Sequence, residues 1–529
     1  MQNKKLQIWL PLLFSIVMIA GMFIGYRIKE NMPGRGFFYI EKRKPVNEVI
    51  NLIETKYVDN VPVDSLTDKA IESILNQLDP HSVFLPASEL QETKEDLAGE
   101  FYGIGIEYKL LDDTINILNV LKNGPSDKAG LQVGDKILQA GDSIIAGVHI
   151  GTERIKKFLR GTGGSKVEIT ILRNNQVKTV AIKRGMIPLH SLDAAYMITN
   201  ETAYIRLNKF SETTYKEFME ATEKLKKAGM QNMILDLRDN GGGILTEATD
   251  IADEFLSDDK LITYTEGQHS QKREYRSKRE GIFEKGKLVV LANDGSASAS
   301  EVLIGALQDW DRATIIGRRT FGKGLVQEQY ELSDGSGVRL TVARYYTPLG
   351  RSIQKSYAGG AQAYKDELSN RSHHGEEMFA DSIKHINGIP YKTKSGKTVY
   401  SGGGITPDVF VAIDTLKYNA EINKALIKGT INDFVYKNYL ANKNKFALYK
   451  SPRDFEKNYT IDTATWNNLN NYAIKDSVNL KSLGPKEKTT LTKQFKILTA
   501  RQIWRNEGLF EVSNTEDTIV KKALEVLKN

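Results

Sequence analysis

The chain has no cysteine in its 529 residues. That excludes a thiol nucleophile, a cysteine-ligated zinc, an iron–sulfur cluster and a disulfide. Histidine is sparse: His81, His149, His190, His269, His373, His374 and His385 are scattered, and none sits in a recognisable catalytic motif. Dense Lys/Arg runs with interleaved aromatics are missing too. Lys plus Arg totals 73 against 66 for Asp plus Glu. Over this length the field is weak, so nucleic acid is not implied as a partner. There is no tandem repeat.

What is present is ordinary globular composition at a length that implies several domains. After Lys4 and Lys5, residues 6–26 carry no charge. About twenty apolar residues suffice to span a bilayer, and the basic flank orients the N-terminus to the cytoplasm. We read residues 1–27 as an inner-membrane anchor with the remainder exported to the periplasmic or extracytoplasmic side. A cleaved signal peptide followed by secretion is the alternative.

Residues 28–44 lack periodicity and read as a linker. Residues 45–100 show apolar spacing of three and four, a helical region. Residues 101–185 alternate like strands and include a hairpin with Asn174-Asn175 at its tip. From 186 to 414 strands and helices alternate, an α/β core, interrupted by a polar, weakly patterned insertion at 356–400. Residues 415–529 are helical, polar and rich in Lys and Asn. The fold class is α/β and α+β multidomain.

Chemistry concentrates in "LANDGSASASEVLIGALQDW", residues 291–310. Ser298 and Glu301 fit the S-x-x-E capping box, with apolar residues at helical spacing behind them. The same position suits a nucleophile. A serine at a strand-to-helix turn is exposed, and the amide of Ala299 would point from the helix N-terminus towards developing negative charge. A second donor could come from "DLRDNGGG", where Gly241, Gly242 and Gly243 let the backbone approach a substrate. Neither G-x-S-x-G nor S-x-x-K occurs at these serines. The better candidate base is Lys323 in "GRRTFGKGLVQEQ". An unperturbed lysine has a pKa near ~10.4, so roughly one in a few thousand is neutral at pH 7. Burial to a pKa of about 7–8 removes most of that handicap. Gln327 stands four residues on.

These segments, with "LDPHSVFL", "LTVARYYTPLGRSIQ" and "GGGITPDV", resemble the motifs of the C-terminal processing peptidases, or tail-specific proteases, in the family's order over residues 45–413, excluding the 356–400 insertion. The resemblance implies a serine–lysine peptidase. Its nucleophile would be the middle serine, Ser298, its base Lys323, and the supporting glutamine Gln327. The oxyanion donors would be Ala299 and Gly242 or Gly243. It also implies an inserted PDZ domain. Phe101, Tyr102, Gly103, Ile104, Gly105 and Ile106 would then bind a substrate's C-terminal tail, as PDZ domains hold a terminal carboxylate on loop amides. No metal or cofactor is expected. Partners would be protein or peptide substrates with accessible tails, the membrane through residues 6–26, and possible further copies of the chain in a homo-oligomer. A non-catalytic PDZ scaffold and a small-ester or lipid hydrolase are the rival readings.

Overall fold

The computed structural model describes residues 4–30, 45–383, 388–413 and 419–528. It divides into two units, Met1–Ile74 and Leu75–Asn529. In the first, helix α1 (Lys4–Glu30) contains a stretch, Trp9–Arg27, long and apolar enough to cross a bilayer, with none of it buried. Most of the expected linker, from residue 31 to 44, lies outside the described residues. Two amphipathic helices follow, α2 (Pro45–Lys56) and α3 (Val63–Leu75).

The second unit opens with a short strand, β1 (Val83–Leu85), and helix α4 (Ala87–Ala98). A small module comes next. It comprises β2 (Glu100–Gly103), β3 (Ile106–Leu111), β4 (Thr114–Val120), α5 (Pro125–Lys128), β5 (Lys136–Ala140), β6 (Ser143–Ile144), α6 (Thr152–Leu159), β7 (Lys166–Arg173), β8 (Gln176–Lys183) and β9 (Gly185–Pro188). The antiparallel sheet runs β3-β4-β5-β7-β8, with β6 on β5, and β2 pairs β9. Alternate side chains of this sheet, including Ile115, Ile117, Ile137 and Ile169, form its fully buried core. The expected hairpin joins β7 to β8, and Asn174 and Asn175 both take positive φ, 48° and 60°, as a two-residue primed turn requires. Strand β3 is the last in its sheet, so its outer edge is unpaired among the described residues.

The α/β core contains β10 (Leu192–Met197), β11 (Thr202–Leu207), α7 (Thr214–Lys227), β12 (Asn232–Asp236), α8 (Leu245–Asp253), β13 (Leu261–Glu266), β14 (Arg273–Arg276), β15 (Leu288–Ala292), α9 (Ala299–Asp309) and β16 (Thr314–Gly317). It continues with β17 (Leu325–Glu331), β18 (Gly337–Tyr346), α10 (Gly360–His373), β19 (Pro390–Lys392), β20 (Thr398–Tyr400) and β21 (Val409–Phe410). The main sheet has the order β10-β11-β12-β15-β16-β21, parallel except for β10. A second sheet has the order β1-β18-β13-β14, with β17 paired to β18.

Main-sheet strands are apolar on both faces, as a covered parallel sheet requires. Ala203, Ile205, Met233, Leu235 and Val290 pack with α7, α8 and α9. The alternate residues Tyr204, Ile234, Val289 and Leu291 pack with Ile519, Val520, Ala523 and Leu527 of the last helix. That helix, α17 (Thr518–Lys528), therefore completes the α/β core although it lies in the C-terminal extension. The rest of the extension is α11 (Ala420–Ile427), α12 (Thr430–Ala441), α13 (Lys443–Phe446), α14 (Pro452–Asn458), α15 (Thr463–Lys475) and α16 (Pro485–Ser513). It also grips the small module: Tyr436 Oη donates to the Ile117 carbonyl at 3.1 Å and Gln502 Nε2 to that of Leu118 at 2.9 Å. The insertion is less featureless than its sequence suggests, since it forms α10 and the β19–β20 hairpin.

Candidate active site

The three chemically loaded segments leave the carboxyl ends of adjacent parallel strands: "DLRDNGGG" after β12, "NDGSASAS" after β15 and "GRRTFGKG" after β16. Open α/β sheets bind ligands at this edge. Two of the loops are stitched together by one side-chain and one backbone hydrogen bond. Asn293 Oδ1 accepts the Asp239 N–H at 2.9 Å, and the Asn240 carbonyl accepts the Ala297 N–H at 3.0 Å.

The three serines part company here. Ser296 is fully buried and its hydroxyl donates to the Leu237 carbonyl at 2.8 Å. Ser300 is equally buried and donates to the Asn240 carbonyl at 2.9 Å. Ser298 lines a cleft of about 840 Å³, together with Ala299, Gly242, Gly243, Lys323 and Gln327. All six residues assigned to catalysis by resemblance thus share one cavity. Ser298 holds φ 56° and ψ −117°, a conformation that costs a non-glycine residue about 1–3 kcal/mol and that clusters at functional sites.

Glycine is required beside it. Gly242 has φ +96°, and a Cβ there would stand 2.7 Å from Ser298 Cβ and 2.9 Å from the Ala299 nitrogen. The Gly242 N–H, however, donates to Asn240 Oδ1 at 2.9 Å. Its neighbour differs. The Phe210 N–H binds the Gly242 carbonyl at 3.0 Å and the Ile244 N–H binds the Phe210 carbonyl at 2.8 Å. In that parallel bridge the intervening Gly243 turns its own N–H away from Phe210.

A buried carboxylate fastens the serine to the lysine. Glu301 Oε2 accepts the N–H of Ser298 at 2.9 Å and of Lys323 at 2.8 Å. Glu301 Oε1 accepts the Gly322 N–H at 2.8 Å and the Thr320 hydroxyl at 2.5 Å. The first of these bonds is the glutamate half of the expected capping box. Burial pushes the Glu301 carboxyl up to about 7, against the pull of its donors. Tyr345 adds a second tie, its hydroxyl donating to the Ser298 carbonyl at 3.1 Å and also reaching that of Lys323.

Burial lowers Lys323 to about 8, and the Arg339 charge works in the same direction, while Glu301 and Asp79 oppose it. About one lysine in ten is then neutral at pH 7. Gln327 sits at a bulge where β17 crosses β18, a device that re-aims side chains near active sites. Its Nε2 donates to Thr341 Oγ1 at 3.3 Å, and Thr341 Oγ1 donates to Asp79 Oδ1 at 3.1 Å. Asp79 also accepts the N–H groups of His81 and Ser82. His81, near Lys323, bonds Tyr364 Oη through Nε2 at 2.8 Å and is lowered to about 4 by burial and by the Lys323 charge. It is neutral at pH 7. Sequence reasoning passed over Glu301, Tyr345 and Asp79 as site residues. Glu301 was visible as a cap and Asp79 as part of "LDPHSVFL", but Tyr345 carries no local signal.

The tail-binding candidates lie in the small module, outside the cleft. Phe101 to Gly103 lie in β2, Ile104 and Gly105 turn the chain, and Ile106 starts β3. The turn depends on Gly105, at φ +75° with Ile187 packed against it. Ile104 is buried in the module's core, and Ile106 packs against that core. Helix α6 and the residue that ends it tie this module to the cleft wall, since Lys156 pairs with Glu92 and Arg160 with Glu95 of α4.

Family models match three parts of the chain: peptidase family S41 over residues 201–361, a PDZ domain over 103–183, and a family of unknown function over 422–505. Among curated relatives, a "Probable CtpA-like serine protease" of Staphylococcus haemolyticus is 32% identical over 66% of this chain and 71% of its own length. The chain belongs to peptidase family S41. Another relative, the "Carboxy-terminal processing protease CtpA" of Bacillus subtilis, is 33% identical over 59% of this chain and 66% of its own. A CtpA-like relative from Staphylococcus epidermidis is 34% identical over 59% of this chain, and the match spans 63% of that relative's length. The PDZ match covers the module built on β3 to β8, and the S41 match covers the serine and lysine loops. Nearly all of α10 lies past the end of the S41 match.

Proposed function

We propose that this chain is a carboxy-terminal processing endopeptidase that cleaves peptide bonds with a Ser298–Lys323 pair. The observation that carries the reading is Lys323 itself: a half-buried lysine in the cleft of Ser298, lowered to about 8. Neutral Lys323 takes the proton of the Ser298 hydroxyl as its oxygen attacks the scissile carbonyl. The tetrahedral oxyanion is met by the N–H groups of Ala299 and Gly243. Gly242 serves by leaving room, because its own N–H is committed to Asn240. Protonated Lys323 then delivers its proton to the leaving amine, and a water deprotonated by the same lysine releases the acyl product. Gln327, backed by Thr341, orients the amine.

Substrates are proteins with accessible C-terminal tails. In this reading the tail adds as a strand to the free edge of β3, with its carboxylate on the amides of the Gly103–Ile106 turn. Helix α1 anchors the enzyme in a membrane, with the catalytic part on the extracytoplasmic side. Ser298→Ala and Lys323→Ala, each verified as folded, test the chemistry. Both abolish cleavage of a tailed protein substrate in this reading, and Lys323→Arg fails as well, because arginine supplies no neutral base. Full activity in either alanine variant overturns it. Tail binding without any product from the unmodified chain would favour the scaffold reading instead.

A further inference from the structure

The insertion after "GRSIQ" places a polar stripe on the catalytic lysine's loop. On α10, Tyr364, Glu367 and Arg371 recur at spacings of three and four, so they share one face. Arg371 is 5% exposed, and its guanidinium donates to the carbonyls of Thr320 at 2.7 Å and Phe321 at 3.0 Å. These are the last residues before Gly322-Lys323. The ring of Tyr364 meets Phe321 edge-on, with centroids 6.0 Å apart, and meets His81 in the same way at 5.3 Å. Its hydroxyl bonds His81. Glu367 completes the joint by accepting from Arg371 at 2.7 Å and from the buried Lys355 at 3.1 Å.

One helix therefore holds both supports of the lysine: the loop that carries it, and the Asp79–His81 turn that backs Gln327 through Thr341. We infer that α10 is a positioning element for catalysis, in which Arg371 and Tyr364 keep the Lys323 loop closed and water away from its amine. The inference rests on the Ser298–Lys323 reading. It assigns a role to a segment that lies almost wholly past the S41 match. Arg371 and Tyr364 touch neither substrate nor the reacting atoms in this account.

The groups facing Lys323 are Glu301 from α9, Arg339 from β18, and Asp79 and His81 from the turn before β1. None belongs to α10. Loosening the Arg371 contact leaves the Glu301 and Arg339 charges in place and admits water, which returns the lysine towards its ordinary value of about 10.4. The test is the pH profile of the full chain in detergent, with a tailed protein substrate. Arg371→Ala should lower kcat by about 30- to 100-fold at pH 7 with KM within about twofold, and the deficit should shrink to a few-fold by pH 10, because the base then deprotonates unaided. Arg371→Lys, which keeps the charge but lacks the planar fork whose two nitrogens reach the two carbonyls, should give a smaller shift of the same kind, and decides the matter if Arg371→Ala does not fold. A wild-type profile, or a deficit equal at pH 7 and pH 10, overturns the inference. If Lys323→Ala retains activity, the Ser–Lys reading itself has failed. If Lys323→Ala is dead and the Arg371 profiles are unshifted, only the role of α10 has failed.

Discussion

Ser298 and Lys323 hang from one oxygen atom: Glu301 Oε2 accepts the backbone N–H of both, at 2.9 Å and 2.8 Å. A residue 22 positions away along the chain is thereby held to the first turn of α9. The same carboxylate takes two further donors, from Gly322 and Thr320. An ionised carboxylate can accept all four, whereas a neutral amide turns its NH2 towards two of them and a neutral acid its O–H towards one. Glu301→Gln should therefore keep the fold and lower kcat by about ten- to a hundred-fold, since a slight misplacement of a catalytic group costs on this scale. Steady-state kinetics on the purified variant checks this.

The pH dependence follows from the two perturbed groups. Lys323 must lose a proton at about 8, and Glu301 must be ionised, which occurs at about 7. We predict that kcat/KM is flat above pH 8, falls about tenfold per pH unit from 8 to 7, and falls more steeply below 7. In Glu301→Gln the second break should vanish and the first should move to lower pH, because the Glu301 charge no longer raises Lys323. A profile with a single break at the same place in both proteins would contradict the assignment of Glu301.

Holding an ammonium in this cleft costs stability. The Lys323 value is lower in the folded chain than in the unfolded one, so the unfolded state binds more protons between pH 8 and 10.5, and stability rises with pH there. Below pH 8 the full cost is present, about 3 kcal/mol from the linkage arithmetic. The inactive variant Lys323→Met should thus be more stable than wild type at pH 7, with the gap closing by pH 10. Paired thermal melts at the two pH values measure it.

Gly242→Ala should inactivate without unfolding. The added methyl carbon meets Ser298 Cβ at 2.7 Å and the Ala297 carbonyl at 2.7 Å, in a backbone conformation that disfavours alanine. The serine or the Ala299 amide must shift. We expect kcat to drop by at least about a hundred-fold, the size of losing an oxyanion donor, while a labelled tail peptide still binds. Retained turnover would contradict this geometry.

Tail recognition has its own test. A fluorescent peptide with a free apolar C-terminus should bind the full-length Ser298→Ala chain at least about ten times more tightly than the same peptide with an amidated end, because loop amides bind the carboxylate. Equal affinity by anisotropy would remove residues 101–106 from the tail site.

The sequence disclosed the site unevenly, and the reasons are physical. Ser298, Lys323 and Gln327 sit in long motifs whose spacing survives without any three-dimensional information. Apolar periodicity also marked the PDZ sheet and the parallel strands. It could not find α10, because the face that matters there is Tyr364, Glu367 and Arg371, which carries no apolar stripe. Nor could it join α17 to the core, since that helix lies more than 200 residues from β15, whose face it covers. The choice between Gly242 and Gly243 turns on which N–H faces Asn240, a matter of backbone direction that three consecutive glycines do not encode.

The central claim, that Ser298 rather than either neighbouring serine is the nucleophile and that Lys323 activates it, can be measured directly with a fluorophosphonate probe and peptide mapping. The account predicts one adduct per chain, on Ser298, with labelling at pH 7 lost in Lys323→Ala. An adduct on Ser296 or Ser300, or undiminished labelling of Lys323→Ala, would contradict it.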